Sequence, residues 1–140
     1  MTLAAPDSAQ SLAITAEADL IGVRQILRAE ARRAGLGLVD ETKLVTAGSE
    51  LARNILTYAT GSCGRLEAEQ VAEGGRRGVR AVFSDSGPGI EDTEAAMTDG
   101  YSTAGSLGLG LPGSRRLVDE LVLHSEVGVG TTVTIVKWVR

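Results

Sequence analysis

The stretch that decides the fold reads VRAVFSDSGPGI and covers residues 79–90. Its first six residues carry apolar side chains on both faces, which is typical of a strand in the middle of a sheet. Asp85 follows the strand, and Gly87 and Gly89 flank Pro88 in a tight turn. We predict that this turn lets the backbone approach a flat ring and that Asp85 accepts a hydrogen bond from an exocyclic amine. A simple Asx turn that ends the strand is an equally good interpretation of Asp85.

Helices and further strands can be read on both sides of that strand. Residues 11–17 alternate as a strand does, and two helices follow, one capped by Asp19 and running to about Ala34, the other capped by Asp40 and running to about Tyr58. The remaining predicted elements are a strand at 65–72, a turn at 73–78, a short helix near 91–97, a helix from about 109 to 120, and a hairpin of 121–125 with 132–139. The sum is an α+β, two-layer sandwich, with helices on one face of a mixed, mostly antiparallel sheet. We predict a short tail at residues 1–10 and one domain over residues 11–140.

Two details of the helices carry further expectations. Four arginines, at positions 24, 28, 32 and 33, lie off the apolar stripe of the first helix, and we predict that most of them form a solvated face. Gly48 interrupts the second helix at a cost of roughly 1 kcal/mol relative to alanine. A glycine there predicts close packing against a neighbouring element.

Composition narrows the classes of function. The 140 residues carry a net charge of −4, so there is no basic footprint for nucleic acid or an anionic membrane surface. Cys63 is the single cysteine, which excludes an internal disulfide and a cysteine-rich zinc site. The sequence has no apolar run of membrane-spanning length and no signal peptide, and we expect a cytoplasmic protein.

A second motif is SELARN at residues 49–54. Glu50 and Asn54 are spaced i, i+4 and therefore share one face of a helix. An asparagine oxygen together with phosphate oxygens and water suits magnesium, and a nearby glutamate can position or deprotonate an attacking hydroxyl. The pair by itself is also common on protein surfaces, and Arg53 between them is an alternative salt-bridge partner for the glutamate.

A third motif is the glycine-rich segment at residues 100–113, which leads into a helix. Such a loop presents N–H groups to phosphates, and Ser102, Thr103 and Ser106 add hydroxyl donors. Three leucines argue against a solvated linker. Gly108 to Gly113 formally match the dinucleotide pattern GxGxxG, but no strand leads directly into them and Pro112 falls inside, so we reject that match; no P-loop GK[ST] exists either.

In this order the three motifs resemble the N, G1 and G2 boxes of the Bergerat-fold (GHKL) ATPases, which include gyrase, Hsp90, histidine kinases and MutL. They are most similar to the small serine kinases and anti-sigma factors, among them the switch kinases of the bacterial stressosome. The resemblance runs from about residue 12 to the C-terminal KWVR. It implies a Bergerat sandwich with a glycine-rich ATP lid.

The resemblance also implies roles for individual residues. Asn54 holds magnesium and contacts the nucleotide, Glu50 is the catalytic base toward a substrate serine, and Asp85 takes the adenine amine. The other implied nucleotide-binding residues are Gly87, Gly89 and Ile90 at the ring, Thr131 near the adenine, and Gly100, Ser102, Thr103, Gly105, Ser106, Leu107, Gly108, Leu109 and Gly110 in the lid. The lid is short. No lysine follows Asn54, whereas many histidine kinases have one there, and its absence puts direct phosphate contacts from this helix in question.

The function implied by the resemblance is that of an ATP- and Mg²⁺-dependent protein-serine kinase in stress signalling. Such a kinase phosphorylates a STAS-domain scaffold protein or antagonist, leaves it, and then activates a PP2C-type phosphatase. The alternative is an ATP-binding anti-sigma factor or regulatory binding module with little kinase turnover. An ATP-binding domain detached from a larger sensor is a third, less specific option.

Overall fold

A computed structural model describes residues 9–59, 64–97 and 110–140 of the chain. Its elements, in chain order, are β1 (Gln10–Ile14), α1 (Asp19–Ala34), α2 (Leu38–Tyr58), β2 (Gly64–Glu73), β3 (Arg76–Asp85), α3 (Thr93–Ala96), α4 (Leu111–Leu117), β4 (Glu120–Glu126) and β5 (Gly130–Trp138). The strands form one sheet in the order β1-β2-β3-β5-β4. Each of the four pairings is antiparallel, so within the described residues the sheet is not mixed.

The predicted central strand is confirmed, because β3 lies between β2 and β5. The helices α1 and α2 cover one face of the sheet, and their apolar stripes form the core with that face. Gly48 of α2 is buried where a β-carbon would overlap the side chain of Leu27 on α1 and lie 3.2 Å from Phe83 Cζ on β3. The predicted close packing at Gly48 is therefore confirmed, and it draws helix, helix and strand together.

The predicted caps of the two long helices are wrong. Asp19 is the first residue of α1, and its carboxylate accepts hydrogen bonds from the upstream N–H groups of Thr15 and Ala16 at 2.9 and 3.0 Å. These N–H groups lower the pKa of Asp19 below its usual value. The helix α2 begins two residues before Asp40, with Gly37 as its N-cap, so Asp40 lies in the first turn. Neither carboxylate caps its helix: Asp19 accepts hydrogen bonds from Thr15 and Ala16, and Asp40 forms an ion pair with Lys137.

The off-stripe arginines are not merely a solvated face. Arg28 and Arg32 lie 3.8 and 3.2 Å from the carboxylate of Glu41 on α2, whose side chain is buried. Arg33 lies 3.0 Å from the fully buried carboxylate of Glu30. The arginines are themselves partly exposed, so they neutralise buried acids while their guanidinium groups keep contact with water.

Several predicted boundaries shift. The first strand ends at Ile14 rather than residue 17, and it begins at Gln10, inside the predicted tail. The last helix, predicted to run to residue 120, is only Leu111–Leu117, because β4 already begins at Glu120. Across the described residues, no helix combines the length and apolarity that a bilayer crossing requires.

At the C-terminal end of β5, which we call the closed end, the polar groups of Lys137 and Trp138 have partners within the protein. The Trp138 N–H donates to Asp119 Oδ2 at 2.7 Å, its indole N–H donates to Glu120 Oε2 at 2.9 Å, and the Arg76 guanidinium lies 4.3 Å from the ring centroid. On the other face, buried Lys137 lies 3.4 Å from Asp40. Trp138 packs with two further buried residues on the face away from the helices, Val71 and Val136.

Asp119 is held ionised at this end of the strand. Burial acts to raise the pKa of its carboxyl, but the Trp138 N–H, the Arg140 guanidinium and the Lys137 charge outweigh that effect, and the pKa lies below its usual value. The carboxylate therefore ties the segment between α4 and β4 to the end of β5.

Candidate functional site

A cavity of about 150 Å³ opens at the end of β3, between α2 and the β4–β5 hairpin. A cavity of that volume is the size that accommodates a single aromatic ring. Its walls are mostly apolar, with a few polar side chains among them, as is usual for small-molecule sites. The lining residues are Leu51, Asn54, Ile55, Tyr58, Ala59, Phe83, Asp85, Pro88, Gly89, Ile90, Leu111, Thr131 and Val133.

The Asx-turn interpretation of Asp85 is confirmed, and its contact with an exocyclic amine stays a prediction. Its Oδ1 accepts a hydrogen bond from the Gly87 N–H at 2.9 Å, which is an Asx turn at the end of β3. The same side chain lines the cavity. The turn holds the carboxylate in place at the cavity wall, so its structural contact also orients it.

The loop after β3 is attached to the turn of the β4–β5 hairpin. The Gly128 N–H donates to the Pro88 carbonyl at 2.9 Å. Gly89 has φ +80°, and a β-carbon there would collide with the carbonyl of Glu126. Gly130 has φ +149°, and a β-carbon there would overlap the carbonyl of Asp85. Both glycines are thus required by close backbone approaches, and they bring two sequence-distant loops into one cavity wall.

Ser125 contacts two residues of the cavity wall, and sequence reasoning missed it. Its Oγ accepts a hydrogen bond from the Ile90 N–H at 2.7 Å and lies 2.8 Å from Thr131 Oγ1 and 3.2 Å from the Gly130 carbonyl oxygen. It lies directly opposite Thr131 in the β4–β5 pairing. Pairing the two predicted strands residue by residue was the only signal in the sequence that points to it.

The residues of the second motif occupy neighbouring places on α2. Asn54 is half-buried and lines the cavity. Glu50 is exposed, one helical turn away, and does not line the cavity. Its Oε2 lies 3.5 Å from the position that a β-carbon on Gly110 would take, so it faces the residue that precedes α4.

The structure thus gathers residues from all three motifs. One cavity is lined by Asn54, Asp85, Gly89, Ile90 and Thr131. The Gly87 N–H donates to the Asp85 carboxylate, and Glu50 lies beside Gly110. The other predicted lid residues lie outside the described residues: Gly100, Ser102, Thr103, Gly105, Ser106, Leu107, Gly108 and Leu109.

A metal ion at this cavity would need ligands beyond the side chains of the described residues. Within residues 9–59, 64–97 and 110–140, no group of three or more histidine, cysteine, aspartate or glutamate side chains is placed to hold one. Asn54, whose side chain carries an amide oxygen, lines the cavity. That donor set fits magnesium, which keeps several waters and shares phosphate oxygens with its substrate, and does not fit a metal held by a protein cage.

Comparison with known proteins agrees with this geometry. The sequence model of the histidine kinase-like ATPase domain matches residues 14–137. The serine/threonine-protein kinase RsbT of Bacillus subtilis (strain 168) is 46% identical over 127 residues, which is 91% of this chain and 94% of RsbT.

Two solved structures share the fold. One contains the RsbU and RsbW domains of Rv1364c from Mycobacterium tuberculosis and superposes with a TM-score of 0.62 at 22% identity, over 91% of this chain and 32% of that chain. The chain thus spans about a third of that structure's length. The other is the nucleotide-free catalytic domain of the histidine kinase ThkA, with a TM-score of 0.58 at 15% identity, over 91% of this chain and 95% of that domain.

Proposed function

The chain belongs to the histidine kinase-like ATPase family, in its serine/threonine-protein kinase branch, and from that premise we propose that it transfers the γ-phosphate of ATP to a serine of a STAS-domain partner. The observation that carries the proposal is that Asn54, Asp85 and Thr131, from three separate segments, line one ring-sized cavity. One apolar slot with a carboxylate, a hydroxyl and an amide at its wall is suited to a purine nucleotide.

The adenine ring occupies this cavity. Its faces pack on apolar side chains such as Ile55, Ile90 and Val133, which removes ring and protein surface from water. Asp85 accepts a hydrogen bond from the exocyclic amine, and Thr131 contacts the neighbouring edge of the ring. The Asx turn keeps the Asp85 carboxylate oriented before the nucleotide arrives.

Asn54 orients the phosphates. In the proposal its amide oxygen is the protein ligand of the magnesium ion that accompanies ATP. The ion, when bound, neutralises the charge on the phosphates during transfer. Asn54 lies one turn from Glu50 on the same helix, so nucleotide and base are positioned by one rigid element.

Glu50 accepts the proton of the attacking hydroxyl. As the serine oxygen forms its bond to the γ-phosphorus, the bond to the β–γ bridging oxygen breaks and ADP leaves. The serine proton passes to the Glu50 carboxylate. The exposure of Glu50 suits this role, because a protein substrate must reach it from solvent.

The partners follow from the branch of the family. A serine kinase related to RsbT acts, in this proposal, as the switch of a stressosome pathway: it phosphorylates a STAS-domain scaffold protein or antagonist and is then released to activate a PP2C-type phosphatase. Because ATP is its substrate, the proposal places the protein in the cytoplasm.

The test is phosphate transfer from labelled ATP to a STAS-domain protein encoded in the same genome neighbourhood. Glu50→Gln removes the proton acceptor and keeps the side chain's size, so we expect labelling to fall at least about 100-fold while ATP affinity stays within about twofold. Glu73→Gln, the same chemical change on an exposed residue at the β2–β3 turn, is the matched control and should label normally.

The outcome also separates the two classes of function. Magnesium-dependent serine labelling that Glu50→Gln abolishes supports the switch kinase. Tight ATP binding and partner capture without labelling in the wild type would contradict it and favour an ATP-binding regulatory module, such as an anti-sigma factor.

A further inference from the structure

A row of three polar side chains crosses the sheet beside the cavity. Ser125 on β4 pairs with Thr131 on β5, and Thr131 pairs with Asp85 on β3. Residues opposite each other across a sheet share a face. Thr131 and Asp85 line the cavity, whereas Ser125 does not and lies behind Thr131.

The proton of the Ser125 hydroxyl has two candidate acceptors. The Ile90 N–H already donates to Ser125 Oγ, so Ser125 acts as an acceptor toward the loop. Its single hydrogen can go to Thr131 Oγ1 at 2.8 Å or to the Gly130 carbonyl at 3.2 Å. Hydrogen bonds between oxygens are most often about 2.7–2.8 Å long and seldom exceed about 3.0 Å. Of these two acceptors, Thr131 Oγ1 lies at the better distance for the Ser125 hydrogen, although the 2.8 Å contact itself is compatible with either hydroxyl as the donor.

This direction decides what Thr131 offers to a ligand. A threonine hydroxyl has one hydrogen and two lone pairs. If Ser125 donates to Thr131 Oγ1, the hydrogen of Thr131 cannot point back to Ser125 and is available to the cavity. The cavity wall then presents one acceptor, the Asp85 carboxylate, and one donor, the Thr131 hydroxyl.

We propose that Ser125 is a positioning residue that directs the Thr131 hydroxyl hydrogen into the cavity and so makes the site select 6-aminopurines over 6-oxopurines. A 6-aminopurine presents an amine donor beside an unprotonated ring nitrogen, which matches the Asp85 acceptor and the Thr131 donor. A 6-oxopurine presents an oxo acceptor beside a ring N–H and opposes both. A site that leaves its own polar groups unpaired with the wrong ligand discriminates strongly against it.

The inference rests on the proposed function, because it assigns the purine ring to this cavity. Its test compares the dissociation constants of ATP and ITP, which differ only at that edge of the base. The proteins are the wild type, Ser125→Ala, Thr131→Val and the double variant. Ser125→Cys is added as a second variant, because it keeps the side chain's shape and weakens its donor.

We expect the wild type to prefer ATP and Ser125→Ala to reduce the ratio of the ITP to the ATP dissociation constant about tenfold, the size of one neutral hydrogen bond. Ser125→Cys should change the ratio in the same direction. In the Thr131→Val background, the further change Ser125→Ala should leave the ratio unaltered, since no threonine hydroxyl remains to orient.

A purely structural role for Ser125, as a clamp between two loops, would weaken both nucleotides equally. An unchanged ratio in Ser125→Ala and Ser125→Cys would therefore overturn the inference, as would an additive effect in the double variant. Wild-type protein that binds neither nucleotide, or binds both alike, would instead overturn the adenine site of the proposed function itself.

Discussion

The polar groups around the two ends of β5 differ in their surroundings. At the C-terminal end, the Trp138 backbone and indole N–H groups and the Lys137 ammonium each have a partner: Asp119, Glu120 and Asp40. At the other end, Asp85, Thr131 and Asn54 face a cavity. The first end contributes to folding, and the second is the site that the proposed function assigns to the nucleotide.

The comparison shows that one strand has paired, buried groups at one end and a cavity wall at the other. Charged groups buried together must be paired, or the desolvation they suffer destabilises the protein. Asp85 at the cavity wall accepts one hydrogen bond from the Gly87 N–H and still lines the cavity. Substitutions at the cavity end should therefore change ligand affinity, whereas substitutions at the closed end should change the free energy of unfolding.

The largest expected effect is at the cavity end. Asp85→Asn keeps an oxygen for the Gly87 N–H, so the turn should persist, but it replaces the charged acceptor of the adenine amine. We expect ATP affinity to fall about 100-fold, the loss typical of a hydrogen bond to a charged group, with little change in stability. Calorimetric titration with ATP measures it. Unchanged affinity would sink the assignment of this cavity to the base.

A smaller effect is expected at the closed end. Lys137→Met removes the ammonium and leaves Asp40 without its partner beside a buried strand. Because Asp40 retains some solvent contact, we expect a loss of about 2 kcal/mol in the free energy of unfolding, below the full cost of breaking a buried pair. Denaturant unfolding gives the value, and ATP affinity of the folded variant should not change.

Lys43→Met is the matched control, since Lys43 lies partly exposed on α2. It should alter stability by no more than about 0.5 kcal/mol. Equal losses in the two lysine variants would contradict the distinction between the two ends, as would a loss of ATP affinity confined to Lys137→Met.

The smallest effect is a pH dependence at Asp119. Its folded-state pKa lies below its unfolded value, so its contribution to stability is complete above the unfolded pKa of about 3.9 and is lost as pH falls through the folded pKa. Asp119→Asn should cost about 1 kcal/mol near pH 7. The difference from wild type should shrink below about pH 4 in urea unfolding; a difference that stayed constant with pH would rule out the charge as its cause.

Local patterns were sufficient for most of the fold. The apolar run that forms β3, the two long helices and the packing role of Gly48 follow from neighbouring residues, and the structure confirms them. Asn54, Asp85 and Thr131 line one cavity, and their roles toward a nucleotide stay predictions. What a pattern predicts well is the environment of a residue along its own helix or strand.

Pairings between distant segments were not predictable in this way. Nothing near Asp40 in sequence indicates that Lys137 is its partner, nor does anything near Glu41 point to two arginines of α1. Ser125 acquires its contacts only when the hairpin register and the β3 loop are both in place. These contacts depend on three-dimensional register, which local preferences do not encode.

The ion pair between Asp40 and Lys137 has a consequence for which changes of length α2 can accept. Asp40, in the first turn of the helix, forms an ion pair with Lys137 of β5, while Glu50 and Asn54 lie further along the same helix. Each residue added or removed between them would turn the later part of the helix by about 100° and move it by about 1.5 Å. A single insertion after Asp40 would swing Glu50 away from Gly110, while four would nearly restore its direction at the cost of about 6 Å along the axis. Between these two carboxylates the number of residues, as much as their identity, is under constraint.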